Sequence, residues 1–121
     1  MNADENFGLQ LLSMKRLVLL NAPVLTTYGK FDFAPLSVDE ARRVIREAEI
    51  VESAIGHAAT AEILSELLDF KVETRRIEFF QTIDDAALVF RLKKRVGEGQ
   101  VLNREEIERT GYEFGFLKRL E

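Results

Sequence analysis

Two helix-start signals of the same kind punctuate this chain and set what it can fold into. Ser37-Val38-Asp39-Glu40 and Asn103-Arg104-Glu105-Glu106 each place a capping side chain three residues before a glutamate that can reach back to the cap's own amide. Beyond the first, Val38, Ala41, Val44, Ile45 and Ala48 fall on one helical face, and the helix is predicted to stop near Glu49. The second opens a short helix ending at Gly111, with Leu102 set against Ile107 as a hydrophobic staple. Between and around them lie runs of strand character. Arg16 to Leu20 is a short apolar run stopped by Asn21-Ala22-Pro23, and Val24 to Phe33, broken at Gly29-Lys30, reads as a hairpin or bent edge strand. Lys71–Gln81 and Ala86–Arg95 are expected to be antiparallel neighbours, the second sending Leu88, Phe90 and Leu92 to one face and Arg91, Lys93 and Arg95 to the other. Tyr112, Phe114 and Phe116 alternate in a closing strand. Strands interleaved with helices predict one α/β domain over residues 15–121, preceded by an extension, residues 1–14, to which no function is assigned.

One histidine interrupts this frame at an informative place. His57 stands in Ser53-Ala54-Ile55-Gly56-His57-Ala58-Ala59-Thr60, just ahead of a third helix with Ile55, Ala59, Ile63 and Leu67 at four-residue spacing on its buried side. Ser53 is the expected N-cap, which puts His57 in the first turn and off the apolar stripe. Histidine titrates near neutrality, so the position suits acid–base work, and Gly56, Ala58 and Ala59 add no bulk around it. The same pattern also fits close helix–sheet packing with an exposed histidine, and pattern alone does not decide between the two.

Composition narrows the chemistry further. With 121 residues there is enough chain for one core. No cysteine and a single histidine leave no disulfide framework, no thiolate chemistry and no donor set for zinc, so neither metal nor cofactor is expected. Apolar runs are too short to cross a bilayer and the start lacks the form of a signal peptide, which predicts a cytoplasmic protein without a membrane partner. A net charge of −4 argues against binding duplex nucleic acid non-specifically. Residues 71–95 run the other way, with Lys71, Arg75, Arg76, Arg91, Lys93, Lys94 and Arg95 against Glu73, Glu78, Asp84 and Asp85. A small anion can be held by such focused charge.

Taken together, Leu20-Asn21-Ala22-Pro23-Val24, Ser53 to Thr60, Arg75-Arg76-Ile77, Arg95-Val96-Gly97-Glu98-Gly99 and Tyr112-Glu113-Phe114-Gly115 resemble the viral ring nuclease family, small anti-CRISPR proteins of archaeal viruses, phages and mobile elements. The resemblance covers the whole predicted domain. It implies a homodimer of α/β subunits, each with a mixed sheet of about five strands flanked by helices. It further implies metal-independent cleavage of cyclic tetra-adenylate, the messenger of type III CRISPR systems, to linear di-adenylate ending in a 2′,3′-cyclic phosphate. On this resemblance His57 is the general acid, Arg95 and Arg76 hold the phosphate, and Glu98 assists catalysis. Asn21, Ala22, Pro23 and Val24 would line the ring through their backbone, with Ile55, Gly56 and Arg75 completing the ligand-binding set. Some relatives carry a hydroxyl residue at the place of Val24, and Arg75 stands where an amide residue is more common. Two other functions fit the residues: a module that binds a cyclic oligonucleotide without cutting it, and a dimeric nucleic-acid-binding regulator of a mobile element.

Overall fold

In a computed structural model, which describes residues 15–93 and 103–121, eight elements follow one another. They are β1 (Arg16–Leu20), β2 (Phe31–Leu36), α1 (Val38–Glu47), β3 (Ile50–Ser53), α2 (Ala58–Leu68), β4 (Asp85–Leu92), α3 (Arg104–Thr110) and β5 (Tyr112–Arg119). The strands form one sheet in the order β2-β5-β4-β1-β3. β1 runs parallel to both β3 and β4, while β5 lies antiparallel to β4 and to β2. Four strands therefore point one way and β5 alone points back. The sheet is mixed and five-stranded, as expected.

Both capping boxes form. Ser37 Oγ accepts from the Glu40 amide at 3.1 Å while Glu40 accepts from the Ser37 amide at 3.0 Å. Asn103 and Glu106 repeat the exchange at the start of α3. Each box supplies two of the amides that a helix start otherwise leaves without partners. At the far end of α2 the chain turns at Asp69 in the left-handed region, and Arg42 of α1 donates to the Leu67 carbonyl at 3.0 Å. That bond ties the middle of α1 to the end of α2.

All three helices contribute to one face of the sheet. Ala41, Val44 and Ile45 of α1, Ala61, Ile63, Leu64, Leu67 and Leu68 of α2, and Ile107 of α3 pack with Leu17, Leu19, Leu88, Phe90, Phe114 and Phe116. The Phe90, Tyr112 and Phe114 rings meet at 5.7–6.0 Å between centroids. On the opposite face a smaller cluster of Val18, Ala87, Val89 and Leu117 is covered by Phe79. β4 is buried from Asp85 to Phe90 because it is central in the sheet and packed on both faces.

Three expectations are corrected here. Residues 71–81 are not a strand paired with β4, whose neighbours are β1 and β5. They form an irregular strap that reaches from the helix side, where Val72 packs, to the opposite face, where Phe79 packs. Strand alternation misleads here because the segment joins no ladder; its backbone groups bond instead to the side chains of Ser65, Ser53, Thr26 and Thr27 and to the Ile55 carbonyl. Residues 24–30 likewise make no strand, and only Phe31–Leu36 joins the sheet. It does so at an edge, where Pro35 withholds no amide that a second neighbour would need. Finally, Ser53 ends β3 and does not cap α2; the N-cap is His57.

Candidate functional site

The site is built at the carboxyl ends of the three parallel strands. β1 runs out at Leu20 into Asn21–Val24, and β3 runs out at Ser53 into the turn that carries Gly56 and His57. β4, on the other side of β1, ends at Leu92, three residues before Arg95 in the sequence. Arg95 and Glu98 themselves lie outside the described residues. From β1 the sheet order departs to β3 on one side and to β4 on the other, and a crevice at such a strand-end reversal is where open α/β sheets bind ligands.

His57 is exposed, with extended backbone angles (φ −124°, ψ 126°) suited to a cap, yet its side chain makes no capping hydrogen bond. The first turn of α2, Ala58-Ala59-Thr60, also holds no acidic residue. The contrast with α1 and α3 is plain: each of those carries a reciprocal cap and two acidic residues in its first turn. The amino end of α2 keeps its partial positive charge uncompensated by the chain itself.

Beside this turn runs the beginning of the strap, and the two are tied at a constant spacing of twenty residues. Ser53 Oγ donates to the Glu73 carbonyl at 2.6 Å, the Arg75 amide donates to the Ile55 carbonyl at 2.8 Å, and Arg76 Nε donates to the Gly56 carbonyl at 3.2 Å. The pairs advance together, so residues 53–56 and 73–76 run side by side in the same direction. Val72 adds an anchor on α2, its amide donating to Ser65 Oγ at 2.9 Å. Gly56 is a glycine for a reason visible here. A Cβ at this position would stand 3.0 Å from Arg76 Cγ, so the arginine stem lies directly over the bare backbone. With Nε on the Gly56 carbonyl, the exposed Arg76 side chain is fastened by one corner of its guanidinium to the residue that precedes His57.

The remaining predicted residues divide by exposure. Asn21, Pro23 and Val24 are exposed and Ala22 half-buried; Arg75 is exposed. Ile55 is fully buried in the helix-side core, so its side chain anchors the turn from beneath. Among the described residues no group of three or more His, Asp or Glu side chains is arranged to hold a metal ion. No helix among the described residues is long and apolar enough to cross a membrane. Ser53 and Glu73 are the contributors that sequence reasoning missed; a serine before Ala-Ile-Gly reads locally as a helix cap, and only the strap shows what its hydroxyl holds.

Known proteins resemble this chain in sequence and in fold. The chain is 39% identical over 111 residues to protein ORF117 of Acidianus two-tailed virus, covering 87% of this chain and 94% of that one. It is 29% identical over 106 residues to protein YddF of Bacillus subtilis (strain 168), covering 87% and 98%. Protein 26 of Sulfolobus islandicus filamentous virus matches at 36% over 78 residues, covering 64% and 65%. The fold superposes on the solved structure of B116 of Sulfolobus turreted icosahedral virus with a TM-score of 0.68 at 21% identity, over 86% of this chain and 99% of that one. Residues 17–114 match the family described as STIV B116-like, and the chain belongs to that family.

Proposed function

We propose that this protein is a metal-independent ring nuclease that opens cyclic tetra-adenylate and thereby silences type III CRISPR signalling. The observation that carries the reading is the start of α2: a helix N-cap occupied by an exposed, non-capping histidine, with an arginine fastened to the preceding carbonyl. A residue that does nothing for the helix at a position where serine or asparagine would stabilise it is a local rule broken, and such breaks gather at functional sites. The resemblance to ring nucleases supplies the substrate.

In this reading the scissile phosphate sits over the first turn of α2, where free amides and the helix dipole favour an anion. Arg76, held by its Nε, offers its terminal nitrogens to the phosphate oxygens. The ribose 2′-oxygen attacks the adjacent phosphorus in line and its proton passes to solvent. The bond to the 5′-oxygen breaks, and His57 gives that oxygen its proton. The products are a 2′,3′-cyclic phosphate and a 5′-hydroxyl. Arg95 and Glu98 complete the site by the same resemblance. A homodimer would bring two such sites to opposite linkages of a four-fold ring, so that two cuts give two equal halves.

Incubation of the protein with cyclic tetra-adenylate in excess EDTA tests this directly. Conversion to di-adenylate ending in a cyclic phosphate is expected; tight binding without conversion would favour a sequestering module instead. Replacing Arg76 by alanine should weaken ring binding by about 10- to 100-fold, the range of one charge-assisted contact, with the melting temperature nearly unchanged because the side chain is exposed. Isothermal titration against an inactive His57 variant reads the affinity.

A further inference from the structure

We infer that Ser53 is a positioning residue for this site, setting the register that places Arg76 beside His57; the inference rests on the nuclease reading above. Its hydroxyl is buried and spends both of its hydrogen-bonding functions between two segments. It accepts from the Ile55 amide at 3.1 Å, closing a tight turn two residues long at the end of β3. It donates to the Glu73 carbonyl at 2.6 Å, across to the strap.

Neither bond serves the sheet or the helix. Ser53 is already placed in β3 by its register with Leu19 of β1, Ala54 donates to the Leu19 carbonyl at 3.0 Å, and α2 is capped by no side chain at all. What the hydroxyl fixes is the pairing of 53–56 with 73–76. That pairing has no regular ladder; Arg75 to Ile55 is its backbone bond, and the Arg76 to Gly56 contact comes from a long exposed side chain. The strap carries no helix or strand of its own to hold its register there. Ser53 is the first rung of the three, at the end where the strap leaves α2.

A shift of the strap moves Arg76 along the turn while His57, mounted on α2, stays where the helix core holds it. Catalysis that depends on aligned groups is sensitive to displacements of this kind. The hydroxyl thus acts through Arg76, touching neither phosphate nor ribose.

Ser53→Ala removes both bonds without adding bulk. At cyclic tetra-adenylate well below saturation the single-turnover cleavage rate should fall at least about 10-fold, and Ser53→Thr, which restores a hydroxyl, should recover most of it. The decisive readout is coupling: introduced into Arg76→Ala, the Ser53→Ala change should cost less than about 2-fold, because the residue it positions is gone. An equal loss in both backgrounds, following the melting temperature, would mark Ser53 as structural only and overturn the proposal. So would an unchanged rate in a folded Ser53→Ala protein that cleaves normally. Should that variant not fold, Ser53→Cys, of similar size and a weaker donor, takes its place, and an unchanged rate there overturns the proposal as well. A wild-type protein inert toward the ring would instead overturn the nuclease reading, and the positioning role with it.

Discussion

Replacing His57 by alanine is expected to slow ring opening about 10²- to 10⁴-fold, the range that general acid catalysis contributes, while leaving affinity and fold nearly intact. The separation follows from where the residue stands. Its side chain is exposed and caps nothing, so its loss leaves no buried partner unsatisfied and should change stability by less than about 0.5 kcal/mol. Asparagine makes the sharper variant. With the backbone of residue 57 already in the extended conformation of an N-cap, an asparagine oxygen can accept from the Thr60 amide, and the helix should gain about 0.5–1 kcal/mol. His57→Asn is thus predicted to raise the melting temperature and abolish turnover in the same molecule. Paired measurements of thermal unfolding and single-turnover cleavage check both halves. A folded His57→Asn protein that cleaves at the wild-type rate would remove histidine from the chemistry.

Those opposite signs explain why the helices were legible in the sequence to different degrees. α1 and α3 announce themselves because Ser37/Glu40 and Asn103/Glu106 meet a purely local demand, the free amides of a helix start, with residues three apart. α2 obeys no such rule, so the local pattern points too early, to Ser53, while the N-cap is His57. Ser53 is a serine for a non-local reason, a carbonyl twenty residues ahead, and nothing in its neighbourhood reveals that.

The strap illustrates the same limit at larger scale. Ile77 and Phe79 share the parity of one strand face, yet the segment is no strand: Val72 joins the helix-side core, Phe79 the opposite one, and Gln81 is fully buried with its amide nitrogen donating to the Leu117 carbonyl at 2.9 Å. The backbone of the strap is satisfied by side chains: Ser65 for Val72, Ser53 for Glu73, Thr26 and Thr27 for Gln81. The threonines of residues 24–30 that suggested a strand are spent here. Hydrophobic period reports burial, and burial here comes from crossing between two faces of one sheet. By contrast β4 and β5 are strands as expected, since alternation sends Leu88, Phe90 and Leu92, with Tyr112, Phe114 and Phe116, to the helix-side core and Ala87, Val89 and Leu117 to the other.

Asp85 holds the other end of the strap, and its removal should be the most destabilising single change in the described part of the molecule outside the apolar core. Its carboxylate receives Arg16 through two bonds, Nε to Oδ1 at 2.9 Å and Nη2 to Oδ2 at 2.8 Å, and Oδ2 also accepts from the Thr82 amide and hydroxyl at 2.9 and 3.1 Å. Arg16 in turn bonds Glu52 of β3 at 3.3 Å and lies 5.2 Å from the centre of the Phe79 ring, so one carboxylate and its arginine join the starts of β1 and β4 to β3 and to the strap. Asp85→Ala should cost about 2–3 kcal/mol: less than the loss from a fully enclosed ion pair, because the Arg16 side chain is 30% exposed and keeps Glu52, but more than a surface pair, because Asp85 is only 6% exposed. Burial pushes the Asp85 carboxyl up, yet the bonds from Arg16 and Thr82 outweigh it and hold its pKa below the ordinary carboxylate value. A group depressed in the folded state binds its proton more readily when unfolded, so its contribution is complete above the unfolded pKa and is lost as pH falls through the folded one. Chemical denaturation should therefore show stability falling below about pH 4 in the wild type. Asp85→Asn keeps the shape and titrates nowhere in this range, so it should start less stable at pH 7 and lose less on acidification. If the two proteins lose stability in parallel between pH 5 and pH 2, about 1.4 kcal/mol per unit of pKa difference at most, the acid sensitivity belongs to other carboxylates and Asp85 is held by packing alone.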